Sequence, residues 1–177
     1  MDKRIGFGPR LGAALIDMVI ISVLSLFLGG TLGAMLGLGA GAMAGVSDQA
    51  EGAAAAGAAI GALAGMAMGI AVFGFLYSLI EALTGASPGK MVLKLKVGFE
   101  DGRQAPVATY VTRWAVKYAG TLLGVVALVP GLHMLGTLGP VASLVIFVGC
   151  FLVLGDKRQA LHDMAAKTAI FKKADLT

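Results

Sequence analysis

Residues 11–46 read LGAALIDMVIISVLSLFLGGTLGAMLGLGAGAMAGV and carry a single charge, Asp17. Wound as one α-helix, this stretch would be about 54 Å long, against a hydrocarbon core of about 30 Å. It therefore crosses a membrane, and its excess length tilts, breaks, projects or is buried by protein. The same logic extends outward. Ala53 to Ile80 holds no charge, and neither does Ala119 to Leu154. All 14 Lys and Arg residues fall between or beyond these stretches. They form three groups: Lys3, Arg4 and Arg10; Lys90, Lys94, Lys96, Arg103, Arg113 and Lys117; and Lys157, Arg158, Lys167, Lys172 and Lys173. Basic loops are retained on the cytoplasmic side, so the three groups share one face and both chain ends lie inside.

Composition agrees: 58% hydrophobic and 14% charged, against about 25% charged in soluble domains. The length of 177 residues suits a single membrane domain spanning 1–177. The net charge of +4 reads as a basic face against anionic lipid headgroups rather than a nucleic-acid site, because no binding motif accompanies it. Lone Cys150 implies no disulfide framework. No metal site is expected, since His162 and Asp163 have no further ligands at metal spacing. The apolar run after Lys3 and Arg4 is too long for a signal peptide and is read as an uncleaved first helix.

The acidic turn Ser47 to Gly52 separates helix one (about 10–46) from helix two (about 53–82). The third apolar stretch is broken by Pro130-Gly131 and Pro140, and keeping the last basic group inside requires two crossings there. Helices three and four are placed at about 111–129 and 137–154, with a cytoplasmic tail at 155–177. The expected fold is thus all-α, a four-helix transmembrane bundle. Tyr110, Trp114 and Tyr118 are placed at the inner interface, as is Lys90 at the lipid surface. Alternation over Lys90 to Val97, followed by Asp101-Gly102 and Gln104 to Val107, predicts a short cytoplasmic β-hairpin or amphipathic ribbon.

Gly29, Gly33, Gly37, Gly41 and Gly45 recur every four residues, as do Gly57, Gly61, Gly65 and Gly69. Each costs a helix about 1 kcal/mol relative to Ala in water, so the register needs a use. Small residues at this spacing let backbones approach closely in a membrane. Folding at the acidic turn sets Gly33 near Gly69 and Gly37 near Gly65, an antiparallel glycine-zipper hairpin. Packing within the chain and assembly into a homo-oligomer both use such a surface.

Asp17 is the only ionisable residue inside a predicted span, and an uncompensated acid there costs about 2.5–3.5 kcal/mol on insertion scales. Arg113, Lys117 and Arg10 are its expected partners. Glu81, at the inner end of helix two, is placed to join Asp17 and Arg113. A structural ion pair and a proton- or cation-binding carboxylate both fit Asp17.

Three patterns occur in order: RLGAALID from Arg10 to Asp17, TGASPGKMVLKLKV around Pro88, Gly89 and Lys90, and LGDKRQALHDMAAKTAI with His162 and Asp163. In this order they resemble the RDD family of bacterial membrane proteins, named for one arginine and two aspartates. The resemblance places these at Arg10, Asp17 and Asp163 and implies an inner-membrane protein of the transport type, with cation/proton exchange one version. The glycine ladder departs from the family pattern.

Two functions follow. One is a small-ligand or cation/proton transport module with Asp17 as intramembrane carboxylate and Arg10, Arg113 and Asp163 setting its titration. The other is a non-catalytic structural or assembly protein that uses the ladder for oligomerisation or partner binding. An enzyme is not expected, because no nucleophile motif is present and Gly85 to Met91 lacks the phosphate-loop pattern. No cofactor is implied.

Overall fold

The computed structural model describes residues 3–36 and 50–177, with side chains from 55 onward in the second stretch. Gly37, Gly41 and Gly45 of the ladder, and the end of helix one expected at 46, lie outside the described residues. The described chain is mostly helical with one small sheet. Helix α1, Phe7–Leu24, passes into a π turn at Ser25–Gly30 and stays helical to residue 36. Helix α2 is Ala50–Thr84. Among the described residues, Phe7–Leu36, Ala55–Thr84 and His133–Leu154 are long and apolar enough to cross a membrane. Leu15, Val19, Phe27, Leu63, Phe75, Leu144 and Phe147 lie exposed along them, as lipid-facing side chains do.

The chain divides into two compact units, Met1–Leu15 with Ser78–Thr177, and Ile16–Tyr77. The second of these is the ladder hairpin. A Cβ added to Gly33 would overlap the Gly61 carbonyl and come within 2.8 Å of Gly65 Cα, and one added to Gly29 would overlap the Gly65 carbonyl. A Cβ added to Gly69 would lie 3.2 Å from Ser25 Cα. Gly33 thus faces Gly61 and Gly65, not Gly69. The register has moved by about one turn or more from the expected pairing. A four-residue ladder drifts about 40° per step on a 3.6-residue helix. The π turn, whose bonds span five residues, offsets part of that drift where the helices meet.

The first unit is built around a two-stranded antiparallel sheet. β1, Leu95–Phe99, pairs with β2, Thr168–Lys172, in a register from Leu95↔Lys172 to Phe99↔Thr168. The expected hairpin partner, Gln104, makes only an isolated bridge to Gly98. The tail won because Thr168 to Phe171 is wholly buried, whereas Gln104 is exposed. Residues 90–92, read as part of the ribbon, belong instead to helix α3, Pro88–Val92. Ser87 caps it, accepting from the Lys90 N–H, with Pro88 in the first turn. The backbone N–H of Ile5 donates to the Ile170 carbonyl at 2.8 Å and so ties the N-terminal segment to the sheet. Ala13, Leu95, Val97, Ala105, Tyr110 and Ile170 form the core.

Expected helix three is two helices, α4 (Val107–Lys117) and α5 (Ala119–Val126), broken at Tyr118. The first is amphipathic, with Tyr110 and Arg113 turned inward; the second carries no charge. Tyr110 is therefore a core residue and not part of an interfacial belt. Its ring lies against Gly85, whose φ of +75° and lack of a Cβ both suit the position. Trp114 donates to Ser78 Oγ at 2.9 Å and packs on Tyr118 at 5.5 Å. Helix α6, Leu138–Cys150, packs on α5 through Gly120: a Cβ there would lie 2.5 Å from the Gly139 carbonyl oxygen. A final short helix, α7, is Leu161–Ala165.

Candidate functional site

Asp163 is the third residue of α7, and its Oδ2 accepts the backbone N–H of Ala160 at 3.2 Å. That bond turns the carboxylate back over the helix start, where α1 and α4 reach it. Arg10 donates from Nη1 to Asp163 Oδ2 at 2.5 Å, and Arg113 donates from Nε to Oδ1 at 2.7 Å. Asp163 has no exposed surface. Burial alone would raise its pKa, but the charges of Arg113 and Arg10 outweigh that and hold it below the usual carboxylate range. Two further donors of Arg10 go to the carbonyls of Ile5 at 3.0 Å and Arg158 at 2.8 Å.

Arg113 links this carboxylate to a second one. Its Nη1 donates to Glu81 Oε1 at 2.5 Å, and its Nη2 donates to His162 Nε2 at 3.1 Å. Glu81 also accepts from Lys90 and, at 2.7 Å, from Lys117. Glu81 was placed from sequence with Asp17 and Arg113; here it meets Arg113 and anchors three cations. Lys90 was expected at the lipid surface; it is 8% exposed. Burial pushes its ammonium down to about 8, with Glu81 opposing the shift and Arg113 and Lys117 adding to it. The sequence contained a clue: Ser87-Pro88 starts a helical turn, which fixes where Lys90 points.

Arg10, Lys90, Arg113, Lys117 and His162 line one cavity of about 350 Å³. Its other wall is apolar and includes Phe7, Leu11, Phe147 and Phe151. Phe151 stacks on Phe7 with ring centres 6.3 Å apart and meets Phe147 edge-on at 5.5 Å. These aromatics were not singled out in the sequence, where they read as ordinary lipid-facing residues.

The cations expected for Asp17 are thus engaged by other acids: Arg10 and Arg113 by Asp163, and Lys117 by Glu81. Asp17 belongs to the hairpin unit, and its Oδ1 accepts from the Tyr77 hydroxyl at 2.7 Å. Of the three residues marked by resemblance, Arg10 and Asp163 form one ion pair and Asp17 bonds to a tyrosine.

The family model described as the RDD family matches residues 4–167, a stretch that contains Arg10, Asp17 and Asp163. The chain belongs to the RDD family. No curated protein and no solved structure matches it. In this RDD protein the Arg10–Asp163 pair joins the N-terminal helix to the C-terminal segment across 153 positions of sequence.

Proposed function

We propose that this RDD protein is a multi-pass inner-membrane module that binds and transports a small anionic ligand at the Arg10–Arg113 cavity. The observation that carries this reading is charge. Four cations line the cavity, while the two carboxylates of the cluster, Glu81 and Asp163, are already held by them. His162 adds no charge: burial, with Arg113 beside it, lowers it to about 3. A surplus of two positive charges bordering a largely apolar cavity attracts an anion and repels a metal cation. Asp17, bonded to Tyr77, supplies the intramembrane carboxylate for a coupled proton.

The topology supporting this reading has four crossings. Ile5, β1 and β2 are hydrogen-bonded together, so they lie on one membrane side. Returning to that side between β1 and β2 takes an even number of crossings, and α4–α5 serve as the partner of His133–Leu154. The basic groups make that side cytoplasmic, against anionic headgroups. The glycine ladder we read as packing within the hairpin, supported by the Gly29, Gly33, Gly65 and Gly69 contacts. No nucleic-acid partner and no enzymatic step enter this reading.

The test is binding of phosphate, octyl phosphate, acetate and octanoate to the purified protein at constant ionic strength, read as a shift in its melting temperature. At least one anion should stabilise the wild type and do so more weakly in Lys117→Gln. Glu81 keeps Lys90 and Arg113 in that variant. Uptake of the stabilising anion into reconstituted vesicles then checks transport. Stabilisation by Na⁺ or K⁺ over choline, with none by anions, would refute the reading.

A further inference from the structure

Two segments of the first unit repeat one structure. Each runs from a left-handed residue through a short helix to a second left-handed residue and a strand: Gly85, α3, Lys94 and β1 in one, Arg158, α7, Lys167 and β2 in the other. The φ angles agree, +75° at Gly85 and +49° at Arg158, then +55° at Lys94 and +53° at Lys167. Residues other than glycine seldom adopt positive φ, yet Lys94, Arg158 and Lys167 all do so at matched places. The hydrogen bonds agree too. The Met91 N–H donates to the Ser87 carbonyl at 2.8 Å, as the Met164 N–H does to Ala160 at 3.0 Å. The N–H groups of Lys94 and Lys167 donate to the Met91 and Met164 carbonyls at 3.0 and 3.1 Å. The strands pair about their common midpoint, Val97↔Ile170, so a local two-fold relation exchanges the segments.

That relation carries a filled site onto an open one. In the second segment Arg4 donates to the Lys157 carbonyl, Gln159 Oε1 and the Glu100 carbonyl at 3.2, 3.3 and 3.1 Å. Thr84, Ala86 and Lys173 are the counterparts of Lys157, Gln159 and Glu100. The last match is direct: Glu100 donates its N–H to the Lys167 carbonyl, and Lys173 donates its N–H to the Lys94 carbonyl. All three counterparts line one pocket of about 520 Å³, together with Met91, Lys94, Leu95 and Lys96. Its charge is reversed, since a lysine stands where the filled site has Glu100. No acid lines it, and the side chains of Lys94, Lys96 and Lys173 meet no acid or acceptor among the described residues. Lys94 and Lys173 are exposed and Lys96 is half-buried, so a ligand can reach them.

Thr84 is also the last residue of the span Ala55–Thr84, which sets the pocket at headgroup depth. Met91, Val92 and Leu93, beside it, are 45%, 64% and 37% exposed, an apolar edge suited to acyl chains. We propose that this pocket binds the phosphate headgroup of an anionic phospholipid of the cytoplasmic leaflet, with Lys94, Lys96 and Lys173 as its cations. The site is separate from the Arg10–Arg113 cavity. It rests on the cytoplasmic placement of the basic groups and not on transport.

Phosphatidylglycerol titrated into the purified protein in uncharged detergent, at physiological ionic strength, is read by native mass spectrometry. Lys94→Gln, Lys96→Gln and Lys173→Gln together should weaken binding roughly 100-fold. Lys157→Gln, Lys167→Gln and Lys172→Gln together remove the same charge from exposed lysines outside the pocket. Screening should keep their effect below about 3-fold. Lys173→Glu alone copies the acid found at the matched position, Glu100, so it should melt like the wild type and lose binding. Neither phosphatidylcholine nor glycerol phosphate should compete.

Equal losses in the two triple variants, unchanged binding in Lys173→Glu, or phosphatidylcholine bound as well as phosphatidylglycerol overturns the site. Glycerol phosphate competing as well as the lipid overturns the membrane source. Lys117→Gln should leave phosphatidylglycerol binding unchanged, so failure of the cavity reading is seen separately. The leaflet has its own readout: in a Cys150→Ala background, Ala174→Cys should react with an impermeant thiol reagent in inverted vesicles and not in intact cells. The converse overturns the cytoplasmic leaflet.

Discussion

Replacing Asp163 by Asn removes one charge from the middle of the network with almost no change in shape. The carboxylate accepts from Arg10 at 2.5 Å, Arg113 at 2.7 Å and the Ala160 N–H at 3.2 Å. An Asn has one oxygen to offer, so its amide group must point at the Ala160 N–H and Arg10 or at Arg113, donor against donor. Four cations would then share Glu81 alone. Breaking a buried pair from one side costs about 3–5 kcal/mol. At about 2–4 °C per kcal/mol for a chain of this length, the melting temperature should fall by roughly 6–20 °C. Trp114 is the only tryptophan and bonds within this unit, so its fluorescence during heating in uncharged detergent reports the loss. Adding Arg10→Gln should recover part of it. The Asp101–Arg103 pair, with side chains 52% and 72% exposed, is the control, and Asp101→Asn should change nothing measurable. A melting temperature for Asp163→Asn within about 2 °C of wild type, less than 1 kcal/mol, would refute this account of the network.

Lys90 should impose a pH dependence. Its pKa is about 8 in the fold against 10.5 ordinarily, so between those values the unfolded chain holds a proton that the folded protein has lost. Stability contributed by Lys90 should therefore rise with pH from about 8 to 10.5 and be flat below, while anion binding weakens as one positive charge leaves the cavity; Lys90→Met should abolish both trends in melting and binding titrations. Gly33→Ala forces a Cβ against the Gly61 carbonyl, and overpacking of this kind costs about 1–3 kcal/mol. Gly74→Ala meets nothing within 4 Å and should melt at or slightly above wild type. In a Cys150→Ala background, a cysteine at Gly131 should react with an impermeant thiol reagent applied to intact cells and one at Arg103 should not; the reverse would overturn the topology.

Three of the expected spans were legible because hydrocarbon punishes charge so heavily that charge positions delimit them, whereas the expected third helix is broken at Tyr118. Glu81 and Arg113 were legible as cluster members for the same reason, each sitting at a span end. The ladder's register was not, since glycines every four residues allow several pairings one turn apart. The sheet was half legible. Alternation over Lys90 to Val97 marked a hairpin strand or ribbon that overlaps β1 only from Leu95, and the partner, Thr168 to Phe171, lies some seventy residues away, a pairing too distant for local pattern to encode. Lys90 was misplaced because a lysine beside a span usually reaches for headgroups; Glu81, nine residues earlier, captures it instead. His162 looked like a polar tail residue. Its tautomer follows only from which atom of Arg113 it faces.

The 153-residue separation of Arg10 and Asp163 also sets a timetable. At about 5–20 residues per second, the ribosome makes the aspartate roughly 8–30 s after the arginine. The strand that closes the sheet emerges later still. Throughout that interval Arg10 has no Asp163 to meet, and the nascent first helix must keep its guanidinium among water and headgroups. Synthesis of Asp163 and the strand after it, rather than insertion of the first helix, is therefore the event that completes this half of the protein, and a messenger cut short before Asp163 would yield inserted helices that never close.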